Sequence, residues 1–231
     1  MKLGIMQPYF FPYIGYFALI ANTDNWVVFD ITQYTPKTWI NRNRVLHPNN
    51  GWQYITVPLS NSSINIKISE AKILSKEKSS QRILAQIEHY KKNAPYFQNV
   101  KKIIEKTFNE TSSDYLIELN INSLKNICEY LEINFNYIIA SKHNFTFHNN
   151  MKAGDWALEI ASQLGANEYI NPEGGKDLFN EKDFLERGIK LTILTSPKFE
   201  YECKNYNFED RLSIIDVLMW NKPEDVRKII S

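Results

Sequence analysis

The chain has 231 residues, a net charge of +1, 43% hydrophobic and 23% charged residues. That is the make-up of an ordinary globular protein, long enough for one large domain or two small ones. The near-neutral balance leaves no basic stripe for nucleic acid, and no apolar run reaches the ~20 residues that span a bilayer.

In chain order, residues 3–6 read as a short buried strand, Leu3-Gly4-Ile5-Met6. The chain opens on it with no leader in front, and its two cysteines, Cys128 and Cys203, lack metal-type spacing. Both features point to a reducing, cytoplasmic setting. Pro8 and Pro12 forbid regular structure, so residues 7–12 form a loop. Ile14, Phe17, Ala18 and Ala21 then fall on one helical face, and Trp26-Val27-Val28-Phe29 reads as a second buried strand. Strand, loop, helix and strand make a βαβ unit with parallel pairing as the default.

Residues 33–44 form a second loop leading into a strand at 44–46. Pro48-Asn49-Asn50-Gly51 is a turn signal. Residues 53–59 and 64–68 alternate well enough to be read as an antiparallel pair with each other. Residues 76–132 are predicted to be a helical segment, an insertion or lid between two α/β halves. Strands return at 137–140, 168–170 and 191–194, with helices at 154–164, 182–187 and 213–220 and a last one from Pro223. The expected fold is α/β, one domain over residues 1–231, with a Rossmann-like, mostly parallel sheet and the helical insertion in its middle.

Three loops carry candidate chemistry. The first offers Gln7, Tyr9, Tyr13 and Gly15 at the opening of a helix, where free N–H groups favour phosphate or carboxylate. The second offers Gln33, Lys37, Trp39, Asn41, Arg42, Asn43 and Arg44, which combine a stacking ring with amides and guanidiniums. If this stretch is extended, Asn41 and Asn43 share one face and Arg42 and Arg44 the other. The third offers Asn171, Gly174 and Gly175 after a strand, a backbone cradle for an anion. Asp30, at a strand's C-terminal end, and His89, on a helix beside Tyr90, are the candidate acid/base groups. His143 and His148 lack zinc spacing, so no metal site is expected.

Two resemblances follow. The Tyr13-Ile14-Gly15-Tyr16 turn resembles the helix opening of nucleotidyltransferases, whose motif has histidines where Tyr13 and Tyr16 stand here. More widely, the chain resembles the WbqC-like protein family of bacteria. That likeness rests on Gln7-Pro8-Tyr9-Phe10-Phe11-Pro12-Tyr13-Ile14-Gly15-Tyr16, on Gln33-Tyr34 with Trp39-Ile40-Asn41-Arg42-Asn43-Arg44, on Leu164-Gly165-Ala166, Tyr169 and Asn171-Pro172-Glu173-Gly174-Gly175, and on Leu212-Ser213-Ile214-Ile215-Asp216. The resemblance implies a cytoplasmic role in surface-polysaccharide and O-antigen synthesis, acting on a nucleotide sugar. The reaction it suggests is attachment of an acyl or aminoacyl group to a sugar amine. Trp39 or Tyr13 would then stack on base or sugar. Arg42 or Arg44, with the helix opening, would hold the diphosphate, and Asp30 or His89 would act as base. The alternatives are adenylate-forming nucleotidyl transfer, and a non-catalytic module that recruits a carrier protein. No cofactor is indicated.

Overall fold

The computed structural model describes residues 1–231. Five parallel strands form the sheet: β1 (Lys2–Met6), β2 (Asn25–Val28), β5 (Tyr137–Ile139), β6 (Glu168–Pro172) and β7 (Lys190–Leu194), in the order β5-β2-β1-β6-β7. The first βαβ unit forms as read, with α1 (Ile14–Ala21) between β1 and β2. The chain winds one way from β1 to β5 and the other way through β6 and β7. The order therefore reverses between β1 and β6, the place where open α/β sheets bind ligands beyond their strands' C-terminal ends.

Side-chain alternation sorts the two faces. Leu3, Ile5, Val27 and Tyr169 join Ala157, Ile160, Ala161 and Phe184 in a core of 11 residues under α5 (Asp155–Gln163) and α6 (Glu181–Glu186). Trp26, Val28 and Ile170 face the other way into a core of 46 residues. That larger core also takes in α2 (Lys76–Ile87), α3 (Phe97–Glu110), α4 (Leu116–Leu131), α7 (Ile214–Trp220) and α8 (Pro223–Ile230). Residues 76–132 are thus largely helical, and their apolar faces are continuous with the packing of the sheet. Ile83, Ile87, Tyr90, Val100, Ile104, Leu119, Leu124 and Ile127 are all fully buried. No helix is long and apolar enough to cross a membrane.

One pairing is corrected. Residues 64–68 are not the partner of residues 53–59. Instead β4 (Trp52–Thr56) pairs antiparallel with β3 (Arg42–Leu46) as a separate two-stranded ribbon. The turn at Pro48–Gly51 closes it, with the His47 amide donating to the Gly51 carbonyl at 2.8 Å. In this ribbon Leu46 and Ile55 are buried. Ile64 is left 57% exposed, and residue 67 makes only an isolated bridge to Gln33.

Candidate functional site

The loop after β1 is held from every side. The Gln7 carbonyl accepts from the Tyr16 hydroxyl at 2.9 Å. The Pro8 carbonyl accepts from Asn120 Nδ2, on α4, at 2.8 Å, and the same amide holds the Ile40 carbonyl at 2.8 Å. Asn43 Nδ2 donates to the Phe10 and Phe11 carbonyls at 3.0 and 2.9 Å. The Ser213 hydroxyl adds a 2.6 Å bond to Phe11, and the Ile214 amide a 2.8 Å bond to Pro12. Phe11 is kept at φ 39°, a conformation that costs a non-glycine residue ~1–3 kcal/mol. Its carbonyl is gripped twice and its ring is fully buried, which offsets that strain.

The same grips tie in residues 33–44. The Phe10 amide donates to the Trp39 carbonyl at 2.8 Å, and the Ser213 amide to the Arg44 carbonyl at 2.9 Å. Alternation divides this stretch as its pattern suggests. Asn41 and Asn43 are buried, and Asn41 Nδ2 spends itself on the Val57 carbonyl at 3.0 Å. Arg42 and Arg44 point outward among rings. The Arg42 guanidinium lies 4.0 Å from the Tyr54 ring centre. That of Arg44 lies 5.4 Å from Trp39 and 5.0 Å from Trp52. Gln33 and Lys37 are exposed, and Gln33 Nε2 donates to the Ile64 carbonyl.

At the switch point the α1 opening is closed. A Cβ on Gly15 would stand 2.5 Å from Ser196 Oγ and 2.5 Å from Tyr13 Cε2, well inside van der Waals contact. Glycine is the residue that fits. Ser196 follows β7, and its hydroxyl lies 3.4 Å from the Tyr13 hydroxyl, so the β1 and β7 loops touch here. Tyr16 is 1% exposed, and burial pushes its phenol well up. Gln7 Nε2 donates to Thr32 Oγ1 at 3.0 Å, joining the β1 and β2 loops. Tyr9 and Tyr13 are half-buried. In the third loop Asn171 is buried, accepting from the Tyr169 hydroxyl at 2.9 Å. Gly175 allows its Nδ2 to approach within 2.4 Å of where a Cβ would stand, while Gly174 is open on all sides.

Asp30 and His89 share no contact. Asp30 is fully buried. Its oxygens accept from the Ser141 amide at 2.8 Å and the Ser141 hydroxyl at 2.5 Å. Burial raises its carboxyl, and the Ser141 bonds oppose the rise. His89 packs on Tyr90 at 4.2 Å and Tyr206 at 5.6 Å. Its Nδ1 faces the Gln86 carbonyl at 2.9 Å, an acceptor, so Nδ1 carries a proton there. Burial lowers its pKa, which keeps the ring neutral. Burial pushes the Cys203 thiol up to about 12 and the Cys128 thiol higher still, so neither is a ready thiolate.

Several residues of this framework have roles that the sequence does not show, although Ser213 and Asp216 stand in the block Leu212–Asp216 that carries the family likeness. Asn120 lies on a helix among apolar neighbours, and only its reach into two loops reveals its role. Ser213 and Asp216 belong to one helix start. Asp216 is fully buried and accepts from the Tyr90 hydroxyl, the Tyr201 hydroxyl at 2.7 Å and the Leu46 amide at 3.2 Å. Ser141 and Ser196 follow strands, a position that could have marked them. An open cleft of about 480 Å³ lies along α5 and α6, lined by His148, Asp155, Glu159, Asp183, Glu186 and Arg187. It shares no residue with the loops above, and its carboxylates do not suit a phosphate.

Comparison with known proteins adds three findings. The model of the WbqC-like protein family matches residues 7–228. An uncharacterized protein of Mycobacterium tuberculosis, Rv1507c, is 28% identical over 219 residues, covering 94% of this chain and 92% of its own length. No solved structure matches.

Proposed function

The chain belongs to the WbqC-like protein family, and from that premise we propose that it transfers an acyl or aminoacyl group to the amine of a nucleotide-linked sugar. Bacterial surface-polysaccharide synthesis is the setting that the family resemblance implies, and the cytoplasm is the compartment. The observation that carries this reading is the joining of residues 7–13 and 33–44 into one unit beyond the C-terminal ends of a parallel sheet. That is where such sheets take small-molecule ligands. The closed position of Tyr16, bonded to the Gln7 carbonyl, leaves no imidazole-like group to meet a triphosphate, so it speaks against nucleotidyl transfer.

In this reading the base is Asp30 acting through Ser141. Ser141 is exposed while Asp30, which accepts its hydroxyl, is buried, so the hydroxyl is the carboxylate's route outward. The sugar amine attacks the carbonyl carbon of an activated acyl donor. As the carbon–nitrogen bond forms, an amine proton passes to Ser141 Oγ and that hydroxyl's own proton passes to Asp30. The bond to the donor's leaving group then breaks, and the proton returns along the same path to that group. A carboxyl raised by burial is the better base for it. His89 lies in a different contact group and takes no part.

Calorimetry with UDP- and dTDP-linked amino sugars tests the reading. Saturable binding of at least one is expected, and binding of neither overturns it. With a bound pair in hand, Ser141→Ala is expected to slow transfer while leaving the dissociation constant unchanged.

A further inference from the structure

We infer that the outer face of the β3–β4 ribbon, with Arg42 and Arg44 set among Trp39, Trp52 and Tyr54 and Lys37 held beside Arg42 through its carbonyl, is the seat of a nucleoside diphosphate. The inference rests on the proposed function and deepens it. It assigns the diphosphate to this ribbon rather than to the opening of α1, and it gives the base a stacking surface.

The charge pattern is the first ground. Arg187, Arg211 and Arg227 each pair with a carboxylate. Arg42 and Arg44 pair with none, although both are half-buried. Each gives one Nη2 bond to a backbone carbonyl, Arg42 to Lys37 and Arg44 to Arg211. Their Nε atoms are buried and unpartnered. The rest of each fork is uncommitted, and a guanidinium fork matches phosphoryl oxygens. Residues two apart on a strand lie about 7 Å apart on one face, so the two cations can flank one diphosphate.

The rings are the second ground. Tyr54 lies 6.5 Å from Trp39 and 4.9 Å from Trp52. The Arg44 guanidinium lies 5.4 Å from the Trp39 ring and 5.0 Å from the Trp52 ring. Trp52 is 39% exposed, a large apolar surface left open beside two unpaired cations. A nucleobase covers such a ring by stacking.

The third ground is that the rival anion seat is crowded. Gly15 is buried, and Ser196 Oγ and the Tyr13 ring pack against its Cα.

The competing role for the arginines is purely structural. Lys37 and Arg211, whose carbonyls they hold, both have positive φ, 60° and 54°. Arg42→Gln and Arg44→Gln separate the two roles when calorimetry with UDP, dTDP and uridine is run beside urea melts of the same proteins. The wild type is expected to bind a diphosphate more tightly than uridine, with affinity falling as salt rises. Each arginine variant is expected to weaken diphosphate binding about tenfold or more, the scale of one lost charge-assisted contact, and to leave uridine binding unchanged. Trp52→Leu should weaken both. If an arginine variant does not fold, Lys37→Gln, on an exposed side chain, carries the test with an expected loss of about threefold. Diphosphate binding unchanged in folded arginine variants, or in Lys37→Gln where those do not fold, overturns the inference and leaves the proposed function standing. A wild type that binds UDP- or dTDP-amino sugars but neither free diphosphate also overturns it. A wild type that binds no sugar nucleotide overturns the proposed function itself.

Discussion

Asn43→Ala is the sharpest test of how the β1 loop and the arginine ribbon are joined. Asn43 is 4% exposed. Its amide holds two carbonyls, Phe10 at 3.0 Å and Phe11 at 2.9 Å, and its Oδ1 accepts from the Arg44 amide at 2.8 Å. Alanine removes all three bonds. Phe11 keeps its bond from the Ser213 hydroxyl, so the main losses fall on the Phe10 carbonyl and the Arg44 amide. A buried backbone group stripped of a partner costs ~1–3 kcal/mol. Two such groups make the expected destabilisation about 4 kcal/mol. For a chain of this size each kcal/mol lowers Tm by ~2–4 °C, so a fall of about 8–16 °C is expected. Urea and thermal melts read it directly, with Asn49→Ala on the exposed turn as a neutral control. A loss under about 1 kcal/mol would refute the view that this one amide joins the loops.

Three further outcomes are expected. Gly15→Ala forces a Cβ against Ser196 Oγ and should cost ~1–3 kcal/mol, part of which the double variant Gly15→Ala with Ser196→Ala should restore in a double-mutant cycle. Burial pushes the Glu118 carboxyl up, but the amides and hydroxyls of Ser112 and Ser113 outweigh it and bring the group to about 2. A lowered acid contributes stability above its unfolded value and loses it as pH falls towards 2, so Glu118→Gln should lower Tm at pH 7 and flatten the melting profile between about pH 4.5 and 2. Burial raises Asp216 against the bonds from Tyr90 and Tyr201. A raised acid holds its proton more tightly when folded, so its ionisation costs stability as pH rises from the ordinary carboxylate value of about 4 to the folded one. Asp216→Asn should remove that slope from the pH dependence of urea unfolding.

Much of the framework was legible because it is local. The period-2 split of Asn41 and Asn43 from Arg42 and Arg44 follows from strand geometry alone. The prolines fix the first loop, and the apolar runs fix the sheet strands. Long-range choices were not legible. Residues 53–59 alternate, but alternation does not name a partner. Turn geometry and burial chose residues 42–46 over 64–68. Asn120 lies 112 residues from Pro8, and a polar side chain on an apolar helix gives no clue to which carbonyl it reaches. The closed opening at Gly15 depends on Ser196, on another strand's loop. The pattern of the first loop suggested an anion seat, and packing filled it.

Amide hydrogen exchange with and without a UDP- or dTDP-linked amino sugar tests the central claim most directly, namely that the joined loops at the sheet's C-terminal edge are where the ligand binds. Slower exchange is predicted in residues 7–16, 33–56 and 171–176 and around Ser141, with α5 and α6 unchanged. Protection along α5 and α6, around Asp155, Glu159 and Arg187, with none in those loops, would contradict it.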